Sequence, residues 1–164
     1  MSEADRQVVE VYVQPGESHL VRGPTILRTV LGSCVGVTFW NPRLEIAALC
    51  HPMLPKHPGA ARGLLNLAAA RRYVDFTIRN MAEQLDALGA CRCETAVKLF
   101  GGADVLHIDS SEARPTVGRL NCEAAIRVLE AEGFVVTASR LGGKVGLHVE
   151  FDTVTGEVLL RRLH

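Results

Sequence analysis

A cysteine and a histidine in this chain stand where the backbone is about to turn, and both are of the types that carry nucleophilic chemistry. Cys34 follows Gly32 and Ser33 in the run Thr29-Val30-Leu31-Gly32-Ser33-Cys34-Val35. Glycine permits a tight turn, and a tight turn at Gly32-Ser33 aims backbone N–H groups at one point, as an oxyanion hole requires. A thiol beside such donors attacks a carbonyl as its thiolate. Taken alone, the segment favours a plainer reading, a small buried hydrophobe, because free cysteine is among the most buried residue types.

His51 closes an apolar stretch and opens the proline-rich run Pro52-Met53-Leu54-Pro55. Rigid flanks suit a ring that must hold one orientation. Val35 to Trp40 and Glu45 to Cys50 read as two strands joined at Asn41-Pro42, a hairpin that brings Cys34 and His51 to the same end of a sheet. A cysteine and a histidine in hydrogen-bond reach form the minimal activated thiol, with its pKa lowered. A lone histidine is more often a structural residue.

Other uses of these residue types fit less well. Cys91-Arg92-Cys93 lacks the gap of structural zinc sites. Cys50 and His51, adjacent on a strand, point to opposite faces. Gly101-Gly102 and Gly142-Gly143 lack the context of a phosphate loop. Neither metal nor cofactor is expected. Five cysteines, an odd number, argue against a disulfide scaffold, and Cys50, Cys91, Cys93 and Cys122 are read as buried structural residues. His19, His57, His107, His148 and His164 fall in no constellation and are read as surface or packing residues.

The elements that must position the pair follow from periodicity. Val8–Val13, Thr25–Leu31, Val35–Trp40, Glu45–Cys50, Thr95–Phe100, Phe134–Ser139, Val145–Phe151 and Glu157–Arg161 read as strands. Pro15 to Ser18 and Thr153 to Gly156 read as turns, and Pro52 to Pro58 as an irregular loop. Helices are expected over Arg71–Leu88, with Tyr73, Phe76, Met81, Leu85 and Leu88 on one face, and over Thr116–Glu132, with Ala124, Ala125, Val128 and Leu129 inward. Arg71-Arg72 is read as a solvated helix start. Runs of strands with two principal helices between them indicate an α+β fold with a mixed sheet covered by helices.

The chain has 164 residues, of which 48% are hydrophobic and 22% charged. That composition excludes a disordered chain and fits one domain over 1–164. Eighteen basic residues balance eighteen acidic ones, which argues against a bulk electrostatic grip on nucleic acid or an anionic membrane. The polar start, Met1 to Arg6, reads as no secretory signal, and no apolar run approaches the ~18 residues of a membrane span. A cytoplasmic location is expected.

Several segments together resemble the CheD family, the chemoreceptor glutamine deamidases of bacterial chemotaxis. They are Leu31-Gly32-Ser33-Cys34-Val35, and His51-x-Met53-Leu54-Pro55 seventeen residues after the cysteine. Arg72-Tyr73-Val74-Asp75 and Lys98-Leu99-Phe100-Gly101-Gly102-Ala103 follow. Val117-Gly118 with Asn121, Gly142-Gly143 with Gly146, and the Thr155-Gly156 turn complete the set, from about Thr25 to Leu160. Leu147 departs from the pattern, since similar proteins usually carry arginine after Gly146.

The resemblance implies a three-layer sandwich of mixed β-sheets and helices, related to the catalytic domains of glutamine-deamidating toxins. It implies a Cys–His–Thr site, which by motif position is Cys34, His51 and Thr29. It implies conversion of glutamine side chains to glutamate on methyl-accepting chemotaxis receptors through a cysteine thioester, with release of ammonia. A CheC-type phosphatase is implied as a second partner. A non-catalytic adaptor docking on such a phosphatase, and a cysteine hydrolase of another specificity, are the alternatives.

Overall fold

The computed structural model describes residues 7–58, 66–105 and 114–164. Its strands are β1 Val9–Tyr12, β2 Ser18–Arg22, β3 Thr25–Leu31, β4 Val35–Asn41, β5 Ile46–Cys50, β6 Ala96–Gly101, β7 Val136–Leu141, β8 Leu147–Asp152 and β9 Val158–Arg162. Its α-helices are α1 Leu67–Ala70, α2 Val74–Ala87 and α3 Val117–Ala131. One sheet has the order β1-β3-β8-β9, the other β2-β5-β4-β6-β7. β1 lies parallel to β3 and β7 parallel to β6; the remaining pairs are antiparallel, so both sheets are mixed.

Alternation along the strands sorts the layers. In β3, Thr25, Leu27, Thr29 and Leu31 are buried, and the residues between them are half-buried, the period of two that one buried face produces. Leu27 packs with Val13, Ala47, Leu49 and Phe151, and Leu31 with Phe100, Leu147 and Val149, filling the space between the sheets. The other face of the second sheet, with Val35, Val37, Phe39, Ala48 and Leu99, packs on Ile78, Met81 and Leu85 of α2 and on Ala125, Val128 and Leu129 of α3. β4 and β5 are covered on both sides, which is why they read as nearly unbroken apolar runs. Sheet, sheet and helix pair make three layers, the architecture the resemblance implied.

Three sequence expectations need correction. The first long helix begins at Val74, not at Arg71. Arg71 caps the short α1, and Tyr73 is extended, with φ −102° and ψ 132°. The reason lies in the loop after His51: Met53 N and Leu54 N both donate to the Arg72 carbonyl, and Val74 N donates to the Leu54 carbonyl. A backbone claimed by a loop cannot also complete a helical turn, and side-chain periodicity does not reveal that claim. On α2 the buried face runs through Val74, Ile78, Met81 and Leu85, while Phe76 is half-buried and Leu88 exposed.

The second is β2, an edge strand that follows directly on the Pro15-Gly16 turn. Its short, half-buried sequence, Ser-His-Leu-Val-Arg, carries little alternation. The third is the Cys91–Cys93 pair. Both residues are exposed, Cys91 capping a single 3₁₀ turn over Arg92–Glu94 and Cys93 lying within it, and they form a disulfide, with Cα atoms 5.4 Å apart. That separation lies within the normal disulfide range. Met1 to Arg6 and His107 lie outside the described residues. No helix among the described residues is long and apolar enough to cross a membrane.

Candidate active site

Cys34 sits at the mouth of β4, and His51 follows the last residue of β5. The two strands pair with Val37 opposite Cys50. Val35 N donates to the Pro52 carbonyl at 3.3 Å, which carries the register past the end of both strands. By that register His51 faces Gly36 and Cys34 faces Met53. Cys34 and His51 are therefore diagonal neighbours on one face, a spacing that side chains bridge in antiparallel pairs. The shared face is the one between the sheets: Cys34 packs beside the cluster of Leu31, Phe100, Leu147 and Val149. Cys50, one residue from His51, points the other way into the helix-side core.

Thr29 reaches the same place from the opposite sheet. Its hydroxyl donates to the Val13 carbonyl at 2.7 Å and lies 2.7 Å from His51 Nδ1. A hydroxyl has one hydrogen. With that hydrogen committed to a carbonyl, Thr29 can only accept from the ring, so Nδ1 carries the proton. Nε2 is left as the basic nitrogen. It is buried and has no hydrogen-bond partner among the described residues.

Electrostatics keep the pair neutral at rest. His51 is 1% exposed. Burial depresses its pKa to about 4, and the nearby Val13 carbonyl offsets this only in part. Cys34 is half-buried. Desolvation raises its pKa, against a smaller opposing effect of its own backbone N–H. The expected lowering of the Cys34 pKa is thus corrected: loss of water at the thiol raises it.

The Gly32-Ser33 turn is held from the inside. Gly32 O accepts from Ala103 N at 2.9 Å, Ser33 O from Asn121 Nδ2 at 2.9 Å, and Cys34 O from Gly102 N at 2.8 Å. Three successive carbonyls are bound into the protein. Among the described residues, the N–H groups of Gly32, Ser33 and Cys34 donate to no carbonyl. Such free amides beside a thiol are what a developing oxyanion needs.

The loop after His51 is equally fixed. His51 N donates to the Glu17 carbonyl and Gly16 N to the His51 carbonyl, at 2.9 and 2.7 Å. Asp75, 4% exposed, accepts from His57 N at 3.0 Å. These contacts account for the Arg72-Tyr73-Val74-Asp75 segment, which anchors this loop. Leu147, at the position where arginine was expected, is buried between the sheets. Cys122 is buried in α3, Cys50 is fully enclosed with its pKa pushed up to about 12, and the exposed Cys91 and Cys93 are oxidised. Among the described residues no three His, Cys, Asp or Glu side chains cluster as metal ligands.

Comparison with known proteins bears on this geometry. Residues 53–162 match the family model described as CheD chemotactic sensory transduction. The chain belongs to the CheD family. The match begins just after His51, but whole-chain relatives extend it. A Geobacter sulfurreducens protein named probable chemoreceptor glutamine deamidase CheD 2 is 44% identical over 94% of this chain and 90% of its own. Proteins named probable chemoreceptor glutamine deamidase CheD from Maridesulfovibrio salexigens and Trichlorobacter lovleyi are 34% and 37% identical, each over 99% of this chain and 97% and 96% of their own. A Neisseria meningitidis protein of known crystal structure aligns over 83% of this chain with a TM-score of 0.44 and 14% identity, a likeness that carries no argument.

Sequence reasoning paired Cys34 with His51 and took Thr29 from the family resemblance; in the structure Thr29 bonds His51, and strand register sets Cys34 diagonal to His51. Sequence reasoning placed Asn121 among the motif residues but gave it no role. The available signal was an amide on the apolar stripe of α3, one turn before Ala124 and Ala125.

Proposed function

We propose that this chain, as a single domain over 1–164 acting in the cytoplasm, deamidates glutamine side chains on methyl-accepting chemotaxis receptors. The reading is supported by CheD-family membership and by relatives named for that activity. The observation that carries it to the site is the Thr29–His51 bond, which leaves Nε2 unprotonated on the face shared with Cys34.

The mechanism starts from a neutral thiol and a neutral imidazole. A glutamine carboxamide enters beside Cys34, and rotation of the Cys34 side chain brings the thiol hydrogen to His51 Nε2. Nε2 takes that proton as sulfur attacks the amide carbon. The carbonyl oxygen becomes an oxyanion, held by the free amides of the Gly32-Ser33-Cys34 turn. Collapse breaks the carbon–nitrogen bond, the proton on Nε2 goes to the leaving nitrogen, and ammonia departs. The thioester left behind is attacked by water, which gives a proton to Nε2. Collapse returns that proton to sulfur and frees glutamate. One water is consumed and one ammonia released. Thr29 keeps the ring in the required tautomer throughout and stabilises the imidazolium each time it forms.

The test is co-expression with the cytoplasmic fragment of a receptor from the same organism, read by intact mass and peptide mapping. Each turnover exchanges an amide NH₂ for OH, and ammonia accumulates in step. A new peptide N-terminus without ammonia would indicate a peptidase. Modification that persisted in Cys34→Ala would remove the thiol from the mechanism.

A further inference from the structure

We propose that Asn121 is a positioning residue of the deamidation site, its amide locking the turn that carries Cys34 to the loop that follows His51. The inference rests on the roles given above to Cys34 and His51.

Asn121 is wholly buried in α3, on the stripe that Ala124, Ala125 and Val128 continue. Packing alone would place an apolar side chain there, since a buried amide is costly unless hydrogen-bonded. Its Nδ2 lies 2.9 Å from the Ser33 carbonyl and 2.9 Å from the Met53 carbonyl. Only the NH₂ end of the amide can face two carbonyls, so its orientation is fixed. Ser33 immediately precedes the proposed nucleophile, and Met53 stands two residues after the proposed base.

The ladder between β4 and β5 fails at this point. Val35 N reaches Pro52 O at 3.3 Å, but Pro52 has no N–H to return a second bond. Cys34 and Met53 form the non-hydrogen-bonded pair that follows, and Cys34 O continues the ladder to β6 at Gly102 N; the next rung would join Ser33 to Leu54, but Leu54 N donates to the Arg72 carbonyl instead. Among the described residues, Asn121 supplies the hydrogen bonds that span the gap. It replaces missing rungs of the sheet where the two reacting side chains must keep their spacing.

α3 comes close enough to do this because two glycines allow it. A Cβ on Gly118 would stand 2.5 Å from Gly102 O and 2.6 Å from Ala103 O, and one on Gly102 would stand 2.0 Å from Cys122 Sγ. The start of α3 is pressed onto the end of β6, and Asn121 reaches past it to both loops.

The experiment compares Asn121→Ala, Asn121→Asp, Cys34→Ser and Val128→Ala by deamidation kinetics on the receptor fragment and by thermal unfolding. Val128→Ala opens a cavity on the same stripe and serves as the packing control. A misplacement of the reacting groups by about 1 Å costs on the order of a hundredfold. Asn121→Ala is expected to lose about ten- to a hundredfold in kcat with KM little changed, and Val128→Ala to lose stability with kcat near wild type. Asn121→Asp is expected to fall below Asn121→Ala at neutral pH, because an ionised carboxylate facing two carbonyls repels both. It should recover relative to alanine as acid restores one donor. Should Asn121→Ala fail to fold, the acid recovery of Asn121→Asp decides. The proposal is overturned if Asn121→Ala keeps wild-type kcat, if Val128→Ala loses as much, or if Asn121→Asp shows no acid recovery. In each of those cases an inactive Cys34→Ser leaves the proposed function standing. An active Cys34→Ser would remove Cys34 from the mechanism, and with it the premise.

Discussion

Thr29 Oγ1 and His51 Nδ1 are 2.7 Å apart, and the same hydroxyl donates to the Val13 carbonyl. A threonine on one sheet thereby sets the tautomer of a histidine on the other. Thr29→Val keeps the shape but removes the acceptor. The ring then has no reason to hold its proton on Nδ1, and a buried N–H loses its partner, at a cost of about 1–3 kcal/mol. Deamidation should fall mainly in kcat, and Thr29→Ser should restore most of it. Steady-state kinetics on the three proteins, with chemical denaturation beside them, check both expectations.

The depressed pKa of His51 makes a prediction about stability. Above the ordinary value of 6.5 the ring is neutral in both folded and unfolded chains, and its contribution is fully present. As pH falls from 6.5 toward about 4, the unfolded chain binds a proton that the native ring refuses. Stability is therefore lost across that window, by about 3 kcal/mol at one pKa unit per ~1.4 kcal/mol. Denaturation of wild type and His51→Asn at several pH values isolates the contribution. A constant difference between the two from pH 7 to 4 would show that the native ring accepts the proton freely.

The same neutrality governs the thiol. Iodoacetamide should modify Cys34 slowly at pH 7, with a rate that rises above pH 9, and Cys50 should lag behind it at every pH because it is enclosed and its pKa is higher still. A Cys34 rate already at its plateau at pH 7 would mean that a thiolate–imidazolium pair exists at rest.

Much of this site is legible in the sequence because it depends on local geometry. The Asn41-Pro42 turn fixes the β4–β5 register, and counting back from it places Cys34 and His51 on one face. The inward position of Thr29 follows from the alternation of β3. What is not legible depends on distant partners. Nothing local says that β3 pairs with β8, far along the chain, rather than with its neighbour β4. The break before Val74 is imposed by carbonyls serving the loop after His51. The raised Cys34 pKa reflects burial by residues that arrive from the other sheet, which a glycine-bounded turn does not disclose.

Cys34→Ser tests the nucleophile. The hydroxyl is close in size to the thiol but far harder to ionise, and a base whose pKa is about 4 is poorly matched to it. Deamidation should drop by more than about a thousandfold, with unfolding unchanged because, among the described residues, Cys34 sulfur makes no hydrogen bond beyond the contact with its own backbone N–H. Mass analysis of the receptor fragment reads the first, and a melting curve the second.

The contact between β6 and α3 gives the last prediction. Gly102 has a φ of +66° and Gly23 one of +85°, so alanine at either carries a similar left-handed cost, about 1–2 kcal/mol. Their surroundings differ. Nothing lies within 4 Å of a Cβ on Gly23, whereas one on Gly102 would meet Cys122 Sγ at 2.0 Å and the Gly118 carbonyl at 2.8 Å. Gly102→Ala should therefore lose more stability than Gly23→Ala, by the roughly 1–3 kcal/mol of an overpacked core. It should also lose activity, because pushing α3 outward draws Asn121 away from the Ser33 and Met53 carbonyls. Shortening Cys122 to alanine removes the nearer clash but leaves the Gly118 carbonyl in place. The double variant Gly102→Ala/Cys122→Ala should then recover part of both losses relative to Gly102→Ala alone. Equal effects of the two glycine substitutions would show that φ, and not the close approach of α3, sets the cost at Gly102.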